Sequence, residues 1–185
     1  MSTATWVVLI IAIAAIAVAA WMYLRTKQTQ RLKSQFGPEY DRLVEERGDA
    51  RRAEDELARR EKRVEKFHIR TLSREECDRF ADAWRVEQER FVDDPRVAVS
   101  RADQLVQEAM KTRGYPMSSF DQQAADLSVE HPRVVEHYRA AHEVALYDSR
   151  GEASTEDLRR AMKHYRSLFE DLLNRHVTPQ EEVRR

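Results

Sequence analysis

Apolar and polar positions change their pattern twice along this chain. From Trp6 to Leu24 the sequence WVVLIIAIAAIAVAAWMYL runs nineteen residues without a charge, and as a helix it would be roughly 28 Å long, the thickness of a bilayer core. From residue 25 to about 70 charges dominate, with few apolar residues, one series of which recurs every seven positions. From residue 71 onward apolar residues recur at i, i+3, i+4 and i+7, the spacing of helices that each bury one face. The pattern predicts an all-α protein: an N-terminal transmembrane helix, a charged helical stalk and a C-terminal helical bundle.

The predicted organisation is a short extracytoplasmic N-terminus (1–5), the transmembrane helix (6–24), a basic juxtamembrane segment ending in a joint (25–37), the stalk or weak coiled coil (38–70), the bundle (71–175) and a flexible tail (176–185). Trp6 at one end of the run, and Trp21 with Tyr23 at the other, are the amphipathic rings expected at two headgroup interfaces. No Lys or Arg precedes the run, whereas Arg25, Lys27, Arg31 and Lys33 come after it before any acid. Basic flanks stay in the cytoplasm, so a single pass of the cytoplasmic membrane with the N-terminus outside is expected. Those cations would also meet anionic headgroups, at about 1 kcal/mol each. A cleavable signal peptide releasing a secreted helical protein near Ala20 is the alternative, but MSTAT lacks the basic start of such peptides.

Gly37-Pro38 interrupts the charged region. Proline fixes its φ and lacks an amide hydrogen, and glycine tolerates unusual dihedrals, so the pair predicts a hinge at which one helix stops and another begins. Phe36, Leu43, Ala50, Leu57 and Val64 then recur every seven residues. One apolar residue per heptad makes a thin seam, compatible with a solvated single helix or with weak homo-oligomerisation through the stalk.

Glycines, prolines and capping residues punctuate the bundle. Ser73 with Glu76 predicts a capping box for a helix to about Val92, whose Cys77, Phe80, Ala81 and Trp84 share a face with Trp84 as core anchor. Asp94-Pro95 opens a second helix that ends at Gly114, Ser119 with Gln122 a short third, and Pro132 a fourth closing near Gly151. Ser154 or Thr155 starts the last, to about Asn174. The segments VVEHYRAAHEVAL (134–146) and AMKHYRSLFEDLL (161–173) share His-Tyr-Arg and one apolar stripe.

Charge narrows the functional classes. Lys and Arg total 32 against 33 Asp and Glu, a net charge of −1, so no strong field draws in nucleic acid. Glycines stand only at positions 37, 48, 114 and 151, which leaves no phosphate-binding loop or dinucleotide fingerprint. Among the six histidines, His131, His137 and His142 cluster in the sequence, but His137 and His142 lie about 140° apart around a helix and cannot chelate one ion. His142 aligns with Phe169 and is expected to point into the core as a hydrogen-bond donor, while His137 and His164 flank the stripe as interhelical hydrogen-bond partners. No catalytic residue, metal site or cofactor is assigned, and the protein is not expected to be an enzyme. A His-dependent metal sensor or an unfamiliar enzyme is the alternative.

The blocks "FGPEYDRLVEERGD", "RVEKFHIRTLS", "FVDDPRVAVSRADQLVQEAMKTRGYP" and "ADLSVEHPRVVEHYR" resemble a family of bacterial single-pass membrane proteins with a C-terminal helical domain. The resemblance covers most of the chain after the apolar run and implies a bacterial cytoplasmic membrane and a shared helical domain. It carries across no activity, cofactor or site residue. A membrane-anchored scaffold or protein-interaction module is the expected function, its partners being the lipid bilayer and a protein.

Overall fold

The computed structural model describes the backbone of residues 3–173; the tail expected at 176–185 and the first two residues lie outside the described residues. All regular structure among the described residues is helical. The elements are α1 (Thr3–Phe36), α2 (Pro38–Arg47), α3 (Ala50–Val64), α4 (Arg74–Arg90), α5 (Pro95–Arg113), α6 (Phe120–Glu130), α7 (Val135–Ser149) and α8 (Thr155–Leu173). Two compact units result, Met1–Leu57 and Ala58–Arg185.

In the first unit, α1 runs through the apolar stretch and on to Phe36 without a break. Among the described residues no helix is long and apolar enough to cross a membrane; the side chains of residues 7–11, near the start of the expected span, lie outside the described residues. Trp6, Trp21, Tyr23, Arg25 and Lys27 are all exposed on α1, and the Arg25 guanidinium lies 5.3 Å from the centre of the Trp21 ring. The helix ends at Gly37, whose φ of 50° and ψ of −124° no helical residue adopts, and Pro38 opens α2. The residues expected to form a hinge are thus a helix boundary.

The stalk expected over 38–70 is not one helix. Gly48, left-handed at φ 66°, closes α2 by donating its amide to Val44 O, and α3 ends at Val64. Glu54 of α3 accepts from Thr29 of α1 at 2.7 Å and from Tyr40 of α2 at 3.1 Å, so the chain turns back on itself. Leu32, Phe36, Tyr40, Leu43, Ala53 and Leu57 are buried. The seven-residue pattern therefore reported burial within a helical hairpin: Ala50, predicted on the seam, is exposed, and Ala53, one turn further on, takes its place.

In the second unit helices α4 to α8 form the bundle. The Ser73 hydroxyl accepts from Glu76 N while the Glu76 carboxylate accepts from Ser73 N, the capping box expected from their spacing. Ser154 and Asp157 form the same reciprocal pair at the start of α8, with Asp157 N to Ser154 Oγ at 3.2 Å and Ser154 N to Asp157 Oδ2 at 3.0 Å. Asp94 Oδ1 accepts from Val97 N at 3.2 Å. Two expected starts differ. Ser119 precedes α6 but makes no side-chain cap. Pro132 does not begin α7, because Val134 N and Val135 N both bond His131 O and draw residues 132–134 into a turn.

The core lies between α4, α5, α7 and α8, around Trp84, Val106, Met110, Tyr138, Tyr165, Leu168 and Phe169. Phe169 stacks on Trp84 with ring centres 4.6 Å apart and meets the edge of Phe80 at 6.2 Å. The α7 and α8 stripes that match in sequence diverge at their ends. Leu172 is buried and Leu173 half-buried, while Leu146, the counterpart of Leu173, is exposed. Gly114 closes α5 in the left-handed region at φ 102°, and a Cβ there would stand 2.5 Å from the His68 carbonyl oxygen, so the irregular segment after α3 packs directly on the end of α5.

Candidate functional site

Three polar constellations stand out in the bundle, and they differ in whether anything can reach them. The most buried joins the C-terminal ends of α5, α6 and α8. Arg113 donates to Leu172 O at 3.2 Å and to His131 Nε2 at 3.1 Å, and its other terminal nitrogen lies 3.5 Å from Glu130 Oε2. The Tyr115 hydroxyl donates to the same Glu130 oxygen at 2.7 Å, and His131 Nδ1 bonds Asp171. A guanidinium can only donate, so Nε2 accepts and the ring proton sits on Nδ1, facing Asp171. The Asp-His pair resembles half of a catalytic triad, but the nitrogen that would serve as base is held by Arg113. Burial, then the Glu130 charge, pushes the Tyr115 phenol well above its ordinary range. This constellation is a lock between helix ends.

The second lies between α7 and α8. His137 Nδ1 and His164 Nδ1 are 2.9 Å apart, sharing one proton across the interface. Burial, then the charges of His137 and Arg160, lowers the pKa of His164. His164 also lines a cleft of about 400 Å³, where it is joined by Glu143, Tyr147, Glu152, Asp157 and Arg160. Arg160 is committed to Asp157. Hydrogen bonds from Ser154, then from Arg160, hold the Asp157 carboxyl down at about 2, so it stays ionised and cannot act as an acid near neutral pH. Among the described residues no three His, Cys, Asp or Glu side chains are placed to hold a metal ion.

The third is a groove of about 190 Å³ between α4 and α8, lined by Trp84, Gln88, Phe91, Arg159, Met162, Lys163 and Arg166. Trp84 is 5% exposed, yet its indole Nε1 has no hydrogen-bond partner among the described residues. A buried donor left unmade costs about 1–3 kcal/mol. On the α8 side, Arg159 pairs with Glu156 and Arg166 with Glu170. Lys163 stands between them, exposed.

The structure distributes the sequence candidates unevenly over these places. Trp84 is both core residue and groove floor. His137 and His164 come together. His142 does not enter the core: it is half-buried, with its ring stacked on Phe120 at 3.6 Å between centres and 9° between planes. It lies where α7 faces the short α6, and a flat aromatic neighbour replaces the hydrogen-bond partner expected there. Cys77 lies beside Leu173 O at 3.6 Å, packed against the core. Sequence reasoning missed Arg113, Glu130 and Asp171, because their partners are far away in the chain. The cation stripe 159, 163, 166 was legible as an i, i+4, i+7 spacing and went unread. Comparison of the chain with protein-family models, with curated proteins and with solved structures gives no match in any of the three.

Proposed function

We propose that this protein is a single-pass membrane-anchored helical module that presents its bundle to a protein partner at the cytoplasmic face. The observation that carries the reading is the surface of α1. Ile13, Ile16, Val18, Trp21, Met22, Tyr23 and Leu24 are large, apolar and more than half exposed, on a helix that carries no charge before Arg25. Exposed apolar surface of that extent on adjacent turns is costly in water and favourable in lipid. The cations at 25, 27, 31 and 33 support a cytoplasmic location for the C-terminal side of the span. The resemblance of the post-span blocks to bacterial single-pass proteins points the same way. For the bundle, polar constellations whose bases and acids are already committed to one another support binding over catalysis.

Alkaline extraction of membranes, together with labelling by an impermeant maleimide at a Ser2→Cys site in a Cys77→Ser background, tests the anchor and its direction. The protein is expected to stay with the membrane and to label from outside intact cells. Release into the alkaline supernatant, or a mature N-terminus near Ala20, sinks the anchored reading in favour of secretion. Capture from detergent-solubilised native membranes, using the full chain as bait, tests the partner.

A further inference from the structure

The α4/α8 groove has the features of a half-made contact. Its floor is apolar, formed by Trp84, Phe91 and Met162, and has room for one large side chain. Among the described residues the Trp84 N–H has no hydrogen-bond partner, and its nitrogen is itself buried, so it is the indole ring and not its N–H that the groove offers. Along its edge, Arg159, Lys163 and Arg166 line one face of α8 for about 10 Å. The two arginines are neutralised by Glu156 and Glu170, and Lys163 has no carboxylate within ion-pair distance among the described residues. An exposed cation with no carboxylate partner among the described residues, beside an apolar floor, calls for an apolar side chain flanked by a carboxylate.

We propose that this groove receives an acidic amphipathic helical segment of a partner protein. One large apolar side chain seats on Trp84, Phe91 and Met162, and a carboxylate about one turn from it pairs with Lys163. The two native carboxylates flanking the groove disfavour a polyanion such as nucleic acid, which would bring phosphate against Glu156 and Glu170. They leave room for an isolated carboxylate at Lys163. This inference rests on the bundle being an interaction module and names the chemistry of its partner.

The test uses the full-length protein in detergent micelles, with the Trp84 indole N–H monitored by NMR and assigned by its loss in Trp84→Phe. The probe is a fourteen-residue helical peptide carrying leucines on one face and glutamates beside them; the control has every Glu replaced by Lys. The acidic peptide is expected to shift the Trp84 N–H saturably, with affinity weakened about tenfold or more by Lys163→Glu and by high salt. No shift, an equal shift from the lysine peptide, or indifference to Lys163→Glu overturns the proposal. So does a Trp84 shift that depends on protein concentration alone, which assigns the groove to a second copy, or one that appears on truncation after Leu173, which assigns it to the chain's own end. Failure here with a partner still captured by the full chain removes the groove and leaves the module. Failure of capture with the peptide still bound removes the native partner and leaves the groove's preference.

Discussion

His137 and His164 face each other across α7 and α8 with their Nδ1 atoms 2.9 Å apart, a distance that only one shared proton allows. Identical His-Tyr-Arg triplets bring them there, since each histidine precedes the buried tyrosine that anchors its helix, Tyr138 and Tyr165.

This pairing makes stability depend on pH. The pKa of His164 is lowered on folding, by burial first and then by His137 and Arg160, so between its folded pKa and the unfolded value of about 6.5 the unfolded chain binds more protons. Stability therefore rises with pH across that window and is lost as pH falls below about 6.5. Arg160 on the same helix opposes the second proton, whereas Glu143, Glu152 and Asp157 around the cleft are the acids that would temper it. Urea unfolding at pH 7.5 and 5.5 measures the slope, and His164→Asn is expected to flatten it. An unchanged slope in that variant places the titrating group elsewhere.

Trp84→Ala removes a stacked, buried ring and is expected to cost about 3–5 kcal/mol, enough to unfold much of a marginal bundle. Calorimetry decides it. A melting temperature within a degree or two of the parent would mean that Trp84 contributes to the groove alone.

Gly114 and Gly151 both hold positive φ, but only Gly114 has a backbone oxygen where a Cβ would go. Alanine at either position costs about 1–2 kcal/mol for the left-handed backbone. At Gly114 the His68 carbonyl must also be displaced, together with the Arg70 N to Arg113 O bond at 2.8 Å. Gly114→Ala is accordingly expected to lower the denaturation midpoint more than Gly151→Ala. Equal losses would show that the 66–72 segment yields without cost.

Arg113→Met strips His131, Glu130 and Leu172 O of one shared donor and is expected to cost about 3–5 kcal/mol, the range for breaking a buried ion pair on one side. Arg113→Lys is expected to rescue little, since an ammonium lacks the fork that reaches acceptors on α6 and α8 together. Thermal unfolding of the two variants separates charge from geometry. A lysine variant as stable as the parent would reduce the network to a simple charge requirement.

Much of this architecture is written in residues that act on their neighbours. Ser73 and Glu76, Asp94 and Pro95, and Gly114 mark helix ends through bonds that close within one turn, so their spacing alone predicts the boundaries. One boundary was misplaced: Pro132 stands three residues before α7 begins, because Val134 N and Val135 N bond His131 O and hold residues 132–134 in a turn, which proline's preference for a first helical turn does not reveal. The stalk misled too. A seven-residue recurrence of apolar residues reports that a helix face is covered, and Glu54 reaching Thr29 and Tyr40 shows that the cover comes from the chain's own hairpin.

The sequence by itself determined the all-helical class, the punctuation of the bundle, the stripe shared by α7 and α8, and the uncharged run from Trp6 to Leu24, since periodicity, capping and charge are properties of short windows. Only the tertiary structure decided which buried faces meet. It paired His137 with His164, stacked His142 on Phe120, drew Arg113 to a histidine and a carbonyl on two other helices, and set Trp84 and Lys163 on one groove between α4 and α8. A helical pattern states that a face must leave water and is silent about its partner. The partner is chosen by packing and by hydrogen-bond satisfaction across separations in sequence that no local pattern spans.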